Sequence, residues 1–489
     1  MKSTSKSTSK STSKSTSKST SKSKSKTQST TGSGGSDKAL DRFKKAISSA
    51  RTRLQSSGSG RKMFPAGFLW GAATAATHVD GGDVNSDWYH WCQMPGKIKD
   101  GSSCFTACEH WTRYEEDFKI MKKLGLKTYR LGVDWSRFQH APGAPFDRQA
   151  LDHFRGMLSS LVSKRIRPLL TLNHFSIPQW WLEKGGWTVE ENLKEFYDFI
   201  EFIVPGVGDL VSDYITFNEP NVYAVMGYLL GDWPPGEKGL GGYLNSLKTQ
   251  RHMLMAHFKL YDYIRETHAQ KNWAAPQISI AKHMRVMDPA NPENPLDLDR
   301  CREADYRFNR AFPDSIQEGR LLTPFGKGEK VHDGNAWDFF GLNYYTRDVI
   351  SFSLWNIGSL FIKQEFKPDA PKNDLGWEIY PEGLYRLVRD VHERYGLPIR
   401  ITENGVADGD DHLRGDYIKS HLTELHRAMQ DGARVDAYYH WSFCDNFEWA
   451  EGYSARFGLV QMDYDSQKRI LRPSADLYAR IVRSGVVPA

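Results

Sequence analysis

The 489-residue sequence predicts an α/β fold: a single (β/α)8 TIM barrel with long βα loops, preceded by a disordered basic tail. Three observations lead there. Hydrophobic residues make up 39% and aromatics 13%, enough for a large core, and no run approaches the ~18 uninterrupted apolar residues of a membrane span. From Met63 onward, short apolar runs alternate with longer amphipathic stretches, the pattern of repeated βα units. Eight such runs fit the remaining chain, which has the size of one elaborated barrel.

The start of the chain falls outside that pattern. Residues 1–22, MKSTSKSTSKSTSKSTSKSTSK, repeat Ser, Thr and Lys with no apolar residue after Met1. Nothing there offsets the entropy of ordering, so disorder is expected. No apolar h-region marks a secretory signal, which argues for a cytoplasmic protein, although the Ser-rich basic start shares its composition with organellar transit peptides. Within residues 37–55, Leu40, Phe43, Ile47 and Leu54 stand at near-helical spacing among basic residues, predicting a short amphipathic helix that could touch an anionic surface. SSGSGRK then reads as a linker. The expected division is a tail over 1–62 and a barrel domain over 63–489.

Charge follows the same division. Residues 1–62 hold sixteen Lys and Arg against Asp37 and Asp41, or +14, which leaves −8 for residues 63–489 out of +6 overall. A folded part of that sign is a poor nucleic-acid binder. Five cysteines (Cys92, Cys104, Cys108, Cys301, Cys444) are few and odd in number, which suits a reducing compartment rather than a disulfide scaffold. Cys104, Cys108 and His110 lie close together, but the spacing is not that of a zinc motif and no second ligand pair follows, so no metal is expected.

The eight strand candidates are FLWGAAT (68–74), TYRLGVDW (128–135), RPLLTLNHF (167–175), DYITFNEP (213–220), QISIAKH (277–283), WDFFGLNYY (337–345), PIRITENG (398–405) and DAYYHWSF (436–443). Such a barrel places its chemistry at the carboxyl ends of the strands. Those ends carry Arg130 and Asp134, Asn173 and His174, Asn218 and Glu219, Asn343 and Tyr345, Glu403 and Asn404, then Trp441, Asp445, Asn446 and Glu448. Glu219 and Glu403 close the fourth and seventh strands, opposite each other across the barrel. Facing carboxylates amid polar and aromatic groups suggest glycoside hydrolysis. A catalytic metal would need clustered His, Asp and Glu, and a Ser nucleophile would need a G-x-S-x-G elbow; neither pattern is present.

The motifs TFNEP (216–220) and ITENG (401–405) resemble the acid/base and nucleophile motifs of glycoside hydrolase family 1, the retaining β-glucosidases and β-galactosidases. The segments 107–126, GLNYYTR (341–347), GWEIYPEGLY (376–385) and 441–464 agree, so the resemblance covers nearly all of 63–489. It implies a small β-glycoside as substrate and no cofactor. It also implies Glu403 as nucleophile and Glu219 as acid/base, supported by Arg130, Asn218, Asn343 and Tyr345. Glu403 is expected ionised, and Glu219 raised by burial and by its neighbour's charge. His78, His174, Trp441, Glu448 and Trp449 match the sugar-binding positions. A Glu at 448 disfavours 6-phospho-sugars.

Two positions depart from the family pattern. His78 in THVDGG stands where most members carry Gln, and Phe175 in NHFSIP where Trp is usual. GVDWSR, SDWYHW and NEPNVYAVMGY are most similar to the archaeal-type branch, which takes glucosides and galactosides. His78 and GVDWSR are also similar to the plant galactolipid galactosyltransferase branch. The leading expectation is hydrolysis of O-linked β-glucosides and β-galactosides. Transfer of galactosyl groups between glycolipids comes second, and a sugar-binding protein without catalysis third. The sequence carries no mark of oligomeric state.

Overall fold

The computed structural model describes residues 62–356 and 360–488. The tail over 1–61, with the helix expected over 37–55, lies outside the described residues. Eight parallel strands close into one barrel in chain order: β1 (Leu69–Ala73), β2 (Thr128–Gly132), β3 (Arg167–Thr171), β4 (Asp213–Asn218), β5 (Gln277–His283), β6 (Phe340–Asn343), β7 (Ile399–Asn404) and β8 (Val435–Trp441), with β8 pairing back onto β1. The main helices that return the chain are α1 (His110–Leu124), α2 (Arg148–Ser163), α3 (Leu193–Val207), α4 (Gly239–Gln270), α5 (Ala311–Glu318), α6 (Glu382–Tyr395), α7 (Arg414–Gln430) and α8 (Pro473–Ser484).

Each strand is covered on both faces, which is why these runs read as nearly continuous apolar stretches. Alternate residues divide between two layers. Leu170, Tyr214, Ile278, Leu342 and Ile401 belong to the large cluster shared with the helices. Leu169, Ile215, Ala281, Ala437 and Tyr439 form a separate cluster inside the barrel. The helices supply the matching stripe: Leu151, Phe154, Leu158 and Leu161 of α2 are buried at helical spacing, and the Asp147 carboxylate caps its first turn by accepting from the N–H groups of Gln149 and Ala150.

All eight strand candidates form, but several stop earlier than their apolar runs. β2 ends at Gly132, and Trp135–Arg137 is a 3-10 turn; β3 ends at Thr171, so Asn173 and His174 lie on the loop beyond it. The barrel also carries a three-stranded sheet (Val286–Pro289, Arg347–Phe352, Ile362–Glu365) inserted after β5 and β6, which the sequence reading did not separate from the loops.

Regular alternation breaks at three carboxyl ends, and these breaks position the site. The ladders shift register between Ile215 and Asn218, between Leu342 and Asn343, and between Ile401 and Asn404. At the first, Thr216 bonds to His257 of α4 at 2.7 Å and Phe217 packs against Trp187 and Phe196. Two consecutive side chains thus face the helices, and Asn218 is returned to the inside.

Gly405, directly after β7, has no room for a side chain, since a Cβ there would sit 1.7 Å from the carbonyl oxygen of Trp441. Replacement by Ala must push strands β7 and β8 apart. Gly405→Ala is expected to destabilise the fold by about 2 kcal/mol or more, with a lower Tm in thermal unfolding. An unchanged Tm would refute the close approach.

Candidate active site

The run ITFNEP ends in a sharp turn. Glu219 has φ 43° and ψ 58°, a left-handed conformation, and Pro220 opens the short helix Pro220–Ala224 at its first position. The Glu219 N–H donates to the carbonyl of Ala281 on β5 at 2.8 Å, which holds the turn. Such a backbone costs on the order of 1–3 kcal/mol and persists where neighbours enforce it. Here it directs a carboxylate out of a strand and into the mouth.

A hydrogen-bonded network joins the two glutamates. The Arg130 guanidinium, fully buried, donates through Nη1 to Oε1 of Glu403 in a close ion pair, through Nη2 to Oδ1 of Asn218 at 2.7 Å and through Nε to the Thr171 hydroxyl at 3.0 Å. Asn343 donates through Nδ2 to Asn218 at 3.0 Å and to Oε1 of Glu219 at 2.7 Å. The Tyr345 hydroxyl donates to Oε2 of Glu403 at 2.7 Å. Residues from β2, β4, β6 and β7 therefore meet in one cluster.

Beside it lies an aromatic pocket. His78 packs edge-on to Trp449 and Trp441 with ring centroids 4.1 and 5.3 Å away, and His174 lies nearly parallel to Trp441 at 5.9 Å. The partners fix both rings. The Asn446 amide nitrogen donates to Ser442 Oγ and to the carbonyl of Cys444, so its oxygen accepts from His78 Nδ1 at 2.8 Å. Asn218 accepts through its oxygen, so its nitrogen donates to His174 Nε2 at 2.9 Å. Burial lowers His78 to about 3 and His174 well below the usual value, so both are neutral. His78 then presents a bare acceptor at Nε2 and His174 a donor at Nδ1, and both atoms are buried without a protein partner.

Oε2 of Glu448 is a third unpartnered polar atom, 3.8 Å from His78 Nδ1. Burial, reinforced by the charge of Glu403, holds the Glu448 carboxyl well above the usual range against a hydrogen bond from Trp441. Three polar atoms and two indoles at the mouth suit a polyhydroxylated ligand with apolar ring faces.

Other residues at the strand ends serve as scaffold. Asn173 donates to the carbonyl of Ser176, Asp134 accepts from Thr77, and Asn404 donates to Tyr344 and Tyr417. Asp445 pairs with Arg472 and Arg456. His110 bonds Asp117 rather than a cysteine, and among the described residues no group of three such ligands could hold a metal. The loop GDWPPG (231–236) packs Trp233 against Phe175 and Trp449, with centroids 5.0 and 5.6 Å away.

The glycosyl hydrolase family 1 model matches residues 60–486. The chain belongs to that family. It is 33% identical to β-glucosidase A of Acetivibrio thermocellus over 86% of this chain and 98% of that protein, and 30% identical to the β-galactosidase of Pyrococcus woesei over 87% and 98%. Among solved structures, the β-glycosidase from Pyrococcus horikoshii superposes with a TM-score of 0.80 at 34% identity, over 88% of this chain and 97% of that one. The protein is a glycosidase, and no helix among its described residues is long and apolar enough to cross a membrane.

The charge states of this glycosidase depend on a residue the sequence reading passed over. Burial raises the Glu403 carboxyl to about 7, with Arg130 pulling it down and the charge of Glu219 pushing it up. Burial also raises Glu219, but charge on His283, hydrogen bonds from His283 and Asn343, and Arg130 outweigh it and leave the carboxyl below its usual value. The charge on His283 is the largest of these lowering causes. Burial lowers His283 below its usual 6.5 even beside Glu219, so near neutral pH the imidazole is uncharged and its positive charge no longer lowers Glu219. Glu403 faces a permanent guanidinium, whereas the cation against Glu219 is a histidine whose charge is lost near neutral pH. His283 was legible as the last residue of the fifth strand candidate, which like the first had no residue named at its end.

Tyr345→Phe removes a donor that favours the Glu403 carboxylate, so the pKa of Glu403 rises. Activity that needs this carboxylate is lost as pH falls through that pKa. The acid limb of kcat/KM is therefore expected to move up by about half to one pH unit. A pH–rate profile that coincides with the parent's would refute the assignment.

Proposed function

We propose that the protein hydrolyses O-linked β-glucosides and β-galactosides with retention of configuration, by double displacement through a covalent glycosyl-enzyme. The observation that carries this reading is the single network joining Glu219 and Glu403, in which Arg130 and Tyr345 hold one carboxylate and Asn343 holds the other. Glu403, ionised, attacks the anomeric carbon. Glu219, protonated, gives its proton to the departing oxygen and then takes one from water. The ester formed on Glu403 removes a negative charge beside Glu219, which lowers the Glu219 pKa and suits it to act as base in the second step.

Asn218 sits between the two carboxyls through Arg130 and Asn343, where it would meet the hydroxyl next to the anomeric carbon. The acceptor on His78, the donor on His174 and the carboxyl of Glu448 would read the remaining hydroxyls, with Trp441 and Trp449 against the ring faces. The named β-glucosidase and β-galactosidase relatives support both sugars as substrates.

A panel of aryl β-glycosides is expected to release phenols with the β-anomer of the sugar formed first, as read by NMR. Glu403→Gln is expected to reduce turnover at least about a thousandfold. Glu219→Gln is expected to cost about 10²–10⁴ with poor leaving groups and much less with activated ones. An inverted product, or full activity in Glu403→Gln, would rule out double displacement. The same assay with galactolipid counts transfer products against free sugar.

The activity is assigned to the barrel domain of residues 63–489, with the basic tail dispensable for it. Lys62 and Met63 pair with Val486 and Val487, so a truncation should spare them. Removal of residues 1–58 is expected to leave kcat/KM on a soluble aryl glycoside unchanged, and a large loss would place the tail in the active unit.

A further inference from the structure

β5 delivers His283 between β4 and β6, in register with Asn343. The ring is buried, and its Nδ1 lies 3.3 Å from Oε1 of Glu219. Its other nitrogen, Nε2, faces Nε of Arg285 at 3.3 Å, and Arg285 is anchored on the buried carboxylate of Asp348 at 3.2 and 3.3 Å. A guanidinium can only donate, so Nε2 accepts, and a neutral imidazole then keeps its one hydrogen on Nδ1, towards Glu219. The amide of Asn343 is oriented in the same way: its oxygen accepts the Thr402 hydroxyl at 2.6 Å, so its nitrogen donates to Oε1 of Glu219 at 2.7 Å. Two N–H donors thus converge on one carboxyl oxygen.

We propose that His283, held by Arg285, is a positioning residue for Glu219: together with Asn343 it occupies Oε1 and so places the transferable proton on Oε2. This rests on the double-displacement reading. In the first step the Oε2–H bond breaks and its proton goes to the glycosidic oxygen, which leaves with the bonding electron pair while Glu403 bonds to the anomeric carbon. The carboxylate left at Glu219 keeps both N–H donors. In the second step Oε2 takes a proton from water as the water oxygen displaces Glu403.

The other charged groups nearby are committed elsewhere. Arg130 serves Glu403, as does the neutral Tyr345 hydroxyl, and Lys282 Nζ donates to the carbonyls of His283 and Phe308 at 2.7 and 2.6 Å. Among the described residues, only His283 and Asn343 reach Oε1 of Glu219.

The test compares the full-length protein with His283→Phe, His283→Asn and Arg285→Met on aryl β-glycosides of graded leaving-group acidity, with folding checked by circular dichroism. His283→Phe is expected to lower kcat/KM about tenfold or more for poor leaving groups and only slightly for dinitrophenyl glycosides. It should also move the alkaline limb upward, because the lost N–H favoured the carboxylate and a raised Glu219 pKa keeps the acid protonated to higher pH. His283→Asn, whose amide can replace Nδ1–H, is expected to restore most of both effects. Arg285→Met frees the tautomer and should give a smaller loss with the same leaving-group pattern, a readout that survives if the Phe variant does not fold. A loss equal for all leaving groups with an unmoved alkaline limb, or an Asn variant no better than Phe, overturns the proposal. Wild-type protein that hydrolyses no β-glycoside would instead overturn the glycosidase mechanism beneath it.

Discussion

The guanidinium of Arg130 is the interaction on which the site depends. It is fully buried in the middle of β2 and reaches Thr171 on β3, Asn218 on β4 and Glu403 on β7. A buried cation is tolerable only when paired and fully hydrogen-bonded, and removal of one partner typically costs about 3–5 kcal/mol. On the proposed mechanism, the carboxylate of Glu403 thus supports the folded barrel as well as acting as a reagent within it. Because guanidinium cannot lose its proton in a protein, it also supplies the one fixed charge in a cluster whose two carboxyls titrate.

That demand explains the irregular strand ends. A regular strand alternates, so Asn218, three residues after the inward-facing Ile215, reaches the site only through a break in register, and the strand ends at Asn343 and Glu403 show the same irregularity. The ladders break at those three places. Bulges of this kind re-aim side chains. The strained backbone at Glu219 belongs to the same solution: the chain must leave the barrel wall abruptly for its carboxyl to enter the mouth while Phe217 stays packed beneath the helices.

Much of this was legible in the sequence, for identifiable reasons. The eight strands were visible because both faces of a parallel barrel are buried, and the acid pair because a charged residue at the end of an apolar run is costly without purpose. Strand lengths were overestimated where apolar residues such as Val133 and Leu172 remain buried after the ladder has ended. The split between site and scaffold was not legible. Asn173, Asn404 and Asp445 share the strand ends with Asn218 and Glu403, but a side chain's direction depends on bulges that leave no local pattern. His283 was missed for a related reason: its role comes from Arg285 and Glu219, neighbours in space rather than in sequence.

On the proposed function, imidazole in place of the family's usual amide at position 78 changes what the pocket can tell apart. A Gln side chain presents donor and acceptor together and tolerates either orientation of a hydroxyl's own hydrogen. His78 spends Nδ1 on Asn446, so only an acceptor remains, and the ring is too buried to gain a second proton near neutral pH. A hydroxyl meeting Nε2 must therefore donate, and its own lone pairs must be satisfied by another group, a contact that His174 Nδ1, on an edge-on ring with its centroid 5.8 Å away, can supply. Two neutral histidines held in complementary tautomers thus demand one donating and one accepting contact. That condition rests on the partners Asn446 and Asn218 as much as on the rings themselves, so a change of Asn446 should alter sugar preference without touching a side chain proposed to meet the sugar.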